Sequence, residues 1–390
     1  MKSLYTHLEC SQCSQHFDKY QIHSYCPQCI QPLVARYDLQ SHPGRNAIQN
    51  RPPNLWRYAE LLPVLSPEFQ ITLGEGATPL LRLKNTAKHT DIHQLWLKDE
   101  GNNPNGSFKA RGIGMAVSKA TELGIREFCI PTAGNAGSAL AAYCAAVGAQ
   151  AHIYMPEVTP EVFRLDCEIM GAKVVKVKGS IRDAGLKMNT DNTDGKWWDI
   201  TTLKEPFRLE GKKTMGYEIA EQMGWELPDV IIYPTGGGTG LIGIWKAFQE
   251  MLEMGWVQHI PTRMVCVQTE GCNPVVKAFK ANQNVSEVYE NPAETIANGL
   301  RVPKAFGDKL ILKTIYESGG TALDVTEEEM LSAMNEFGRQ EGIFLSPEGG
   351  AVYAAFRKLL ESGFIEPYHR VVLINTGSAY KYVENLTGKM

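Results

Sequence analysis

The chain has 390 residues, 39 of them basic and 43 acidic for a formal net charge of −4, and is 43% hydrophobic and 21% charged, which suits two or three compact units of an ordinary globular protein. It has no basic tract or aromatic-basic ladder to offer a nucleic acid, no apolar run near the roughly 18 residues that span a bilayer, and no apolar signal core in its first residues. Nine cysteines, an odd number in a long chain, argue against a secreted disulfide scaffold and for a reducing cytoplasm.

The first elements in chain order are two CxxC pairs, Cys10-x2-Cys13 and Cys26-x2-Cys29. Two such pairs a dozen residues apart suit a tetrathiolate zinc site, each pair clamping the ion from a tight turn. Residues 15–25 leave room for one short hairpin. Four thiolates leave no open coordination position, so the expected zinc is structural. Ser14 and Ile30 stand where such knuckles often carry glycine. Residues 40–60, punctuated by His42-Pro43-Gly44 and Arg51-Pro52-Pro53, read as a linker.

A strand pattern at 94–98 is closed by Asn103-Pro104-Asn105-Gly106, and a helical pattern then runs from Ser107 to about 123. Lys109 therefore falls in a first helical turn, where the helix dipole repels a cation. A neutral amine suits that position, as in a lysine that forms a Schiff base with an aldehyde cofactor. A solvated lysine near a helix start is the alternative.

From Arg126 onward strands and helices alternate. Strands are expected at 128–131, 151–156 and 173–177, with helices at 138–147, 161–170 and 181–190. A second run has helices at 214–223 and 241–254 and strands at 229–233, 264–268 and 371–375. Such alternation implies parallel sheets covered by helices, with ligands at the carboxyl ends of strands. Thr132-Ala133-Gly134-Asn135 falls at one such end, where exposed N–H groups could hold a substrate carboxylate; helix capping by Asn135 is the alternative. Pro234-Thr235-Gly236-Gly237-Gly238-Thr239-Gly240 falls at another. Three successive glycines let backbone N–H groups converge on a small anion, and the next helix adds its positive end. A phosphate is the natural occupant, with the Thr235 and Thr239 hydroxyls as further donors. The same stretch fits G-x-G-x-x-G, with Glu270 ending a later strand, so an NAD-dependent oxidoreductase stays open. Thr376 ends the last strand, where its hydroxyl could bond a neutral pyridine nitrogen.

Together these residues resemble the fold-type II enzymes that use pyridoxal 5′-phosphate, and among them the threonine synthase family. The resemblance covers nearly the whole chain: the cysteine pairs, Lys98-Asp99-Glu100-Gly101-Asn102-Asn103-Pro104, Gly106-Ser107-Phe108-Lys109, Gly134-Asn135, Arg208-Leu209-Glu210-Gly211-Lys212-Lys213-Thr214, Glu317-Ser318-Gly319-Gly320 and Asn375-Thr376-Gly377. It implies an α/β fold with two three-layer parallel-sheet domains of the tryptophan synthase β-like kind and an N-terminal zinc-ribbon-like extension. In that division residues 1–40 are the extension, 41–104 the linker and first part of the large cofactor domain, 105–200 a smaller α/β domain, and 201–390 the remainder of the large domain.

The resemblance also implies roles. Lys109 is expected as the Schiff-base and catalytic lysine, Asn135 as the partner of the cofactor's ring hydroxyl oxygen, Gly236, Gly237, Gly238 and Thr239 as the cup for its phosphate, and Thr376 as the partner of its pyridine nitrogen. Thr132, Ala133 and Gly134 are expected to hold the substrate, and Arg208 to hold the substrate's phosphate with its bidentate fork. The chain departs from the common synthase pattern at Ala110 and Ala136, and its triple glycine resembles threonine and serine dehydratases. The implied reaction turns O-phospho-L-homoserine and water into L-threonine and phosphate. A threonine or serine dehydratase, or a β-replacement enzyme such as cysteate synthase, is the alternative. The expected setting is a cytoplasmic homodimer acting on a small amino acid, without nucleic acid or membrane partners.

Overall fold

The computed structural model describes residues 2–388. The chain divides into two compact units. One holds the described residues up to Ala77 together with Asn103–Thr214; the other holds Thr78–Asn102 and the described residues from Met215 onward.

In the first unit four strands lie parallel in the order Lys173–Val177, Gln150–Pro156, Glu127–Pro131, Trp198–Asp199. The helices Asn135–Val147, Glu161–Ile169 and Ile181–Asp191 connect them, as the alternation implies. The central strand Gln150–Pro156 is buried over almost its whole length, as a parallel strand covered on both faces must be. A three-stranded antiparallel sheet, His16–Phe17, Tyr5–Cys10 and Leu33–Tyr37, forms the cysteine-bearing extension. It has no core of its own. Tyr5, Leu8, Leu33 and Ala35 join Leu55, Trp56 and Ala59 and the helix residues Ile113 and Val117 in one apolar cluster. Residues 40–60 accordingly differ from a linker: they fold into short 3-10 turns that bury Leu55, Trp56, Tyr58 and Ala59. The prolines set the turns, and the apolar residues between them supply the packing.

A second difference concerns the helix expected to begin near 214, which is Phe207–Gln222 and takes in the whole Arg208-to-Thr214 stretch. Gly211 reads as a helix breaker, yet it lies inside the helix. A Cβ there would run into the carbonyl of Arg111, and one on Gly112 would meet the carbonyl of Arg208 at 2.8 Å. The two glycines let this helix and Lys109–Glu122 approach backbone to backbone. The packing so gained outweighs the propensity cost of about 1 kcal/mol per glycine. Arg111 Nη1 donates to Thr214 Oγ1 at 3.0 Å, pinning the crossing.

The second unit carries a six-stranded sheet in the order Thr321–Val325, Arg263–Thr269, Val230–Pro234, Arg370–Asn375, Gln94–Asp99, Leu80–Arg82. Five strands are parallel and Leu80–Arg82 is an antiparallel edge. Its core joins strand residues such as Val230, Val265 and Val371 with Phe337, Tyr353 and Phe356 from the covering helices. Among the described residues no helix is long and apolar enough to cross a membrane.

Candidate active site

In the first unit Ser107 is buried and extended, with φ −161° and ψ 155°. Phe108 then precedes the helix and Lys109 is its first residue, with no side chain capping the helix. The Lys109 backbone N–H reaches Ser107 Oγ at 3.3 Å. Lys109 is half-buried, its Nζ 4.5 Å from the centroid of the Phe108 ring. Lys212 Nζ approaches the same ring to 3.8 Å and donates to the Phe108 carbonyl. Lys212 is fully buried, and sequence reasoning did not single it out. Its signal was weak, because the stretch reads as lying ahead of a helix at 214, and a lysine among charges there reads as solvated until its neighbours are known. Lys213 on that helix instead pairs with Glu210 at 2.8 Å, and Glu210 also accepts from the Tyr37 hydroxyl at 2.8 Å.

Arg208 lies in the first turn of Phe207–Gln222 and is 1% exposed, which removes the solvated surface arginine as an alternative. Its Nη1 donates to the Ile200 carbonyl at 2.8 Å. Its Nε and Nη2 are buried with no hydrogen-bond partner among the described residues. Glu205 accepts the backbone N–H groups of Phe207 and Arg208 at 2.7 and 3.0 Å. Burial pushes the Glu205 carboxyl up to about 7, against the pull of Arg208. The same burial lowers the Arg208 guanidinium. A buried cation with two unmatched donors, at the positive end of a helix, is an arrangement that an anion would complete.

The third turn of this unit runs from Thr132 to Asn135. Gly134 has φ 139°, and a Cβ on it would strike the Phe163 ring. Asn135 is the first helical residue, the cap position falls to Gly134, and no side chain caps the helix. Two N–H groups here are taken: Thr132 N donates to the Tyr154 carbonyl at 2.9 Å and Gly134 N to Thr132 Oγ1 at 3.1 Å. The Ala133 N–H has no acceptor among the described residues.

In the second unit the strand Val230–Pro234 leads through the glycine turn into the helix Thr239–Glu253, again with no side-chain cap. Gly238 has φ 81° and packs where a Cβ would meet Ile311, and a Cβ on Gly236 would meet the carbonyl of Gly299. Gly237 is half-buried, more open than the buried Gly236, Gly238 and Thr239. Backbone N–H groups at the start of this 15-residue helix, with the Thr239 hydroxyl, are a donor set for a phosphate; the Thr235 hydroxyl, expected as a further donor, instead donates to the Tyr233 carbonyl at 3.1 Å. Thr376 is buried just past the strand Arg370–Asn375. Asn375 holds that strand end: its Nδ2 donates to Asp99 Oδ1 at 2.8 Å, and its Oδ1 accepts from Ser346 Oγ at 3.0 Å. Ser346 caps the helix Pro347–Glu361, whose Glu348 accepts from Gly299 N at 2.9 Å. One helix start thus ties the Thr376 end to the glycine turn. Ser346-Pro347-Glu348-Gly349-Gly350 was legible as a helix start, but nothing local marked it as a support. Glu270, the residue a ribose would require, is exposed just after the strand Arg263–Thr269.

The four cysteine Sγ atoms of Cys10, Cys13, Cys26 and Cys29 all lie within 4.8 Å of one another. Cys13 and Cys26 are 3.9 Å apart, close to the roughly 3.8 Å edge of a zinc–thiolate tetrahedron. Ser14 and Ile30, standing where glycine is usual, have φ 59° and 51°. Left-handed backbone at a β-branched residue is costly, so something must hold the knuckle in that shape.

A family model described as pyridoxal-phosphate dependent enzyme matches residues 71–377. The chain is 36% identical to the threonine synthase of Methanocaldococcus jannaschii over 376 residues, covering 95% of this chain and 92% of that protein. The threonine synthase of Methanosarcina acetivorans is likewise 36% identical, over 96% of this chain and 92% of its own length. That of Mycobacterium bovis is 31% identical over 83% and 87%. Among solved structures, the processed form of threonine deaminase isoform 2 from Solanum lycopersicum has a TM-score of 0.69 at 19% identity, over 87% of this chain and 95% of that one. An L-serine ammonia-lyase from Rhizomucor miehei has a TM-score of 0.66 at 22% identity, over 79% and 98%. At such identities the likeness is one of fold.

Proposed function

The chain belongs to the pyridoxal-phosphate-dependent enzymes and, within them, to the threonine synthases, and we propose that it turns O-phospho-L-homoserine and water into L-threonine and phosphate. Pyridoxal 5′-phosphate, when bound, supplies an aldehyde that links to amines and a ring that draws electrons from the substrate's α-carbon. The chain's own residues do the rest. Lys109 anchors the cofactor and carries protons: its amine takes them from Cα and Cβ while phosphate leaves Cγ, and returns them to Cγ and Cα as water adds at Cβ. Gly236, Gly237, Gly238 and Thr239 would hold the cofactor phosphate at the open helix start. Asn135 would partner the ring oxygen and Thr376 the pyridine nitrogen. The Thr132–Gly134 turn takes the substrate carboxylate, chiefly through the Ala133 N–H, since its neighbours' N–H groups are engaged.

The observation that carries the substrate choice is Arg208, with two buried guanidinium donors unmatched. A departing phosphate dianion completes them; the water lost by a dehydratase has no use for them. The test assays phosphate release from phosphohomoserine and keto-acid release from threonine in parallel, in the parent enzyme and in Arg208→Ala and Arg208→Lys. Loss of a charge-assisted pair of about 2–3 kcal/mol should lower kcat/KM for phosphohomoserine roughly 30- to 150-fold. The lysine should be nearly as poor, lacking the fork. Threonine deamination faster than phosphate release, unchanged in both variants, would replace the synthase with a dehydratase.

Cys10, Cys13, Cys26 and Cys29 are assigned a structural zinc because their four Sγ atoms converge within 4.8 Å, with Cys13 and Cys26 3.9 Å apart. Elemental analysis should find the metal, and Cys26→Ser should lose one equivalent of it. Metal content unchanged by that substitution would remove the assignment.

A further inference from the structure

The extension carries a second group of metal-ligating side chains that neither the cysteine site nor the reaction uses. His7, Glu9 and His16 each offer a ligand atom, and the three atoms lie within 4.8 Å of one another. The strand pairing puts them there. His7 and Glu9 are two apart on Tyr5–Cys10 and so share a face, while Glu9 is paired directly with His16 across the hairpin. Leu8 and Cys10, the alternate residues, are buried on the other face, so this cluster and the thiolates point opposite ways. Both imidazole Nε2 atoms face one carboxylate oxygen, Glu9 Oε2, at 4.0 Å for His7 and 3.7 Å for His16.

Three details suit a ligand role. His7 Nδ1 is 2.9 Å from Thr6 Oγ1, which itself donates to the Arg36 carbonyl at 2.9 Å; such an outer hydrogen bond fixes a ligating imidazole's orientation. His7 Nε2 is shielded from solvent and has no hydrogen-bond partner among the described residues. Arg36 binds Glu9 through Oε1, at 2.6 and 3.1 Å, which steadies the carboxylate and leaves Oε2 available. Ligand bonds of about 2.0–2.2 Å set ligand atoms roughly 3.3–3.6 Å apart, so the three atoms must draw closer; His16, with a side chain 64% exposed, is free to turn its ring, centred 4.0 Å from that of His7, to do so.

The geometry points to a second metal site: His7, Glu9 and His16 bind one divalent first-row transition ion, of the zinc and cobalt class, through two imidazoles and one carboxylate. The segment between Glu9 and His16 contains Cys10 and Cys13 and is closed by Cys10 N donating to the Gln15 carbonyl at 2.9 Å. An ion here clasps the base of the first cysteine knuckle, without taking part in turnover.

The test is cobalt(II) titration of chelator-treated full-length protein under reducing, anaerobic conditions, read by bound metal and absorption. Thiolates give an intense near-ultraviolet charge-transfer band; two imidazoles and a carboxylate give only weak visible bands. Two equivalents are expected in the parent. His16→Ala and His7→Gln should each lose the weakly coloured equivalent and keep the thiolate band, with phosphate release unaltered. Cys26→Ser should lose the thiolate band and keep the other. Uptake of a single equivalent, all of it in the thiolate band, overturns the proposal, as does a second equivalent that survives both histidine substitutions. Because His16 is exposed, His16→Ala does not endanger folding, and far-ultraviolet circular dichroism verifies this for His7→Gln.

Discussion

The turn that opens the helix Lys109–Glu122 packs beside a helix that carries buried charge, whereas the turn that opens Thr239–Glu253 is almost bare backbone. On the helix beside the first, Arg208, Glu210, Lys212 and Lys213 are all buried, and Lys212 reaches the turn itself at Phe108. Around the second, glycines meet a carbonyl and an isoleucine, with two threonine hydroxyls beside them. Burying a charge costs several kcal/mol unless it is matched, so the first turn is held by partners drawn from distant parts of its unit. A backbone turn needs no matching charge, but it tolerates no side chain where the chain approaches closely. Reactive groups and binding groups are thus built from different materials, and they should fail differently.

The largest expected effect is at the charged turn. Lys109→Ala should lower phosphate release at least about 10³-fold, since the proton carrier goes with the anchor, and borohydride should no longer fix the cofactor to the chain. Residual turnover near that of the parent would show the charged turn to be scaffolding. Next come paired glycine substitutions. Gly211→Ala drives a methyl into the Arg111 carbonyl and Gly236→Ala into that of Gly299, each at a cost of about 1–3 kcal/mol or more in denaturant unfolding. The comparison predicts different second readouts: Gly236→Ala should weaken cofactor binding beyond its stability loss, and Gly211→Ala should not.

A pH effect follows from Glu205. Its folded pKa of about 7 stands above its ordinary value of 4.5, so the folded state holds the proton over that interval and the unfolded state releases it. Its contribution to stability is therefore present at low pH and is lost as pH rises from 4.5 to 7, at up to about 1.4 kcal/mol per pH unit. Most carboxylates slope the other way. Glu205→Gln keeps an acceptor for the two backbone N–H groups and should flatten this part of the curve; an unchanged slope would show that the carboxyl is not protonated there. The smallest effect lies outside both turns. Ile30→Gly relieves a left-handed β-branched residue and should stabilise the metal-free extension by roughly 1 kcal/mol, seen as a higher melting temperature after chelation.

Much of this architecture is local in origin and could be read from the chain. The strand–helix alternation follows from apolar runs and turn residues, and the strands near 128–131, 151–156 and 173–177 appear within a residue of their expected starts. The helix at Asn135 was expected to begin at 138, and the difference arises because Gly134, at φ 139°, lets the helix start directly from the turn. The four cysteines announce their site by spacing alone.

What the sequence determined by itself is therefore the part governed by period and by backbone chemistry: an α/β chain, a lysine at a helix start, a glycine turn and a tetrathiolate cluster. Only the tertiary structure decided that Phe207–Gln222 is a single buried helix, that Arg208 has donors to spare, that Lys212 shares a ring with Lys109, and that His7, Glu9 and His16 converge. Each depends on a partner remote in sequence or across a strand register: the carbonyl of Arg111 for Gly211, the carbonyl of Ile200 for Arg208, the ring of Phe108 for Lys212. A glycine or a charge has the same local propensity whether or not that partner is present, and its meaning is set by what it touches.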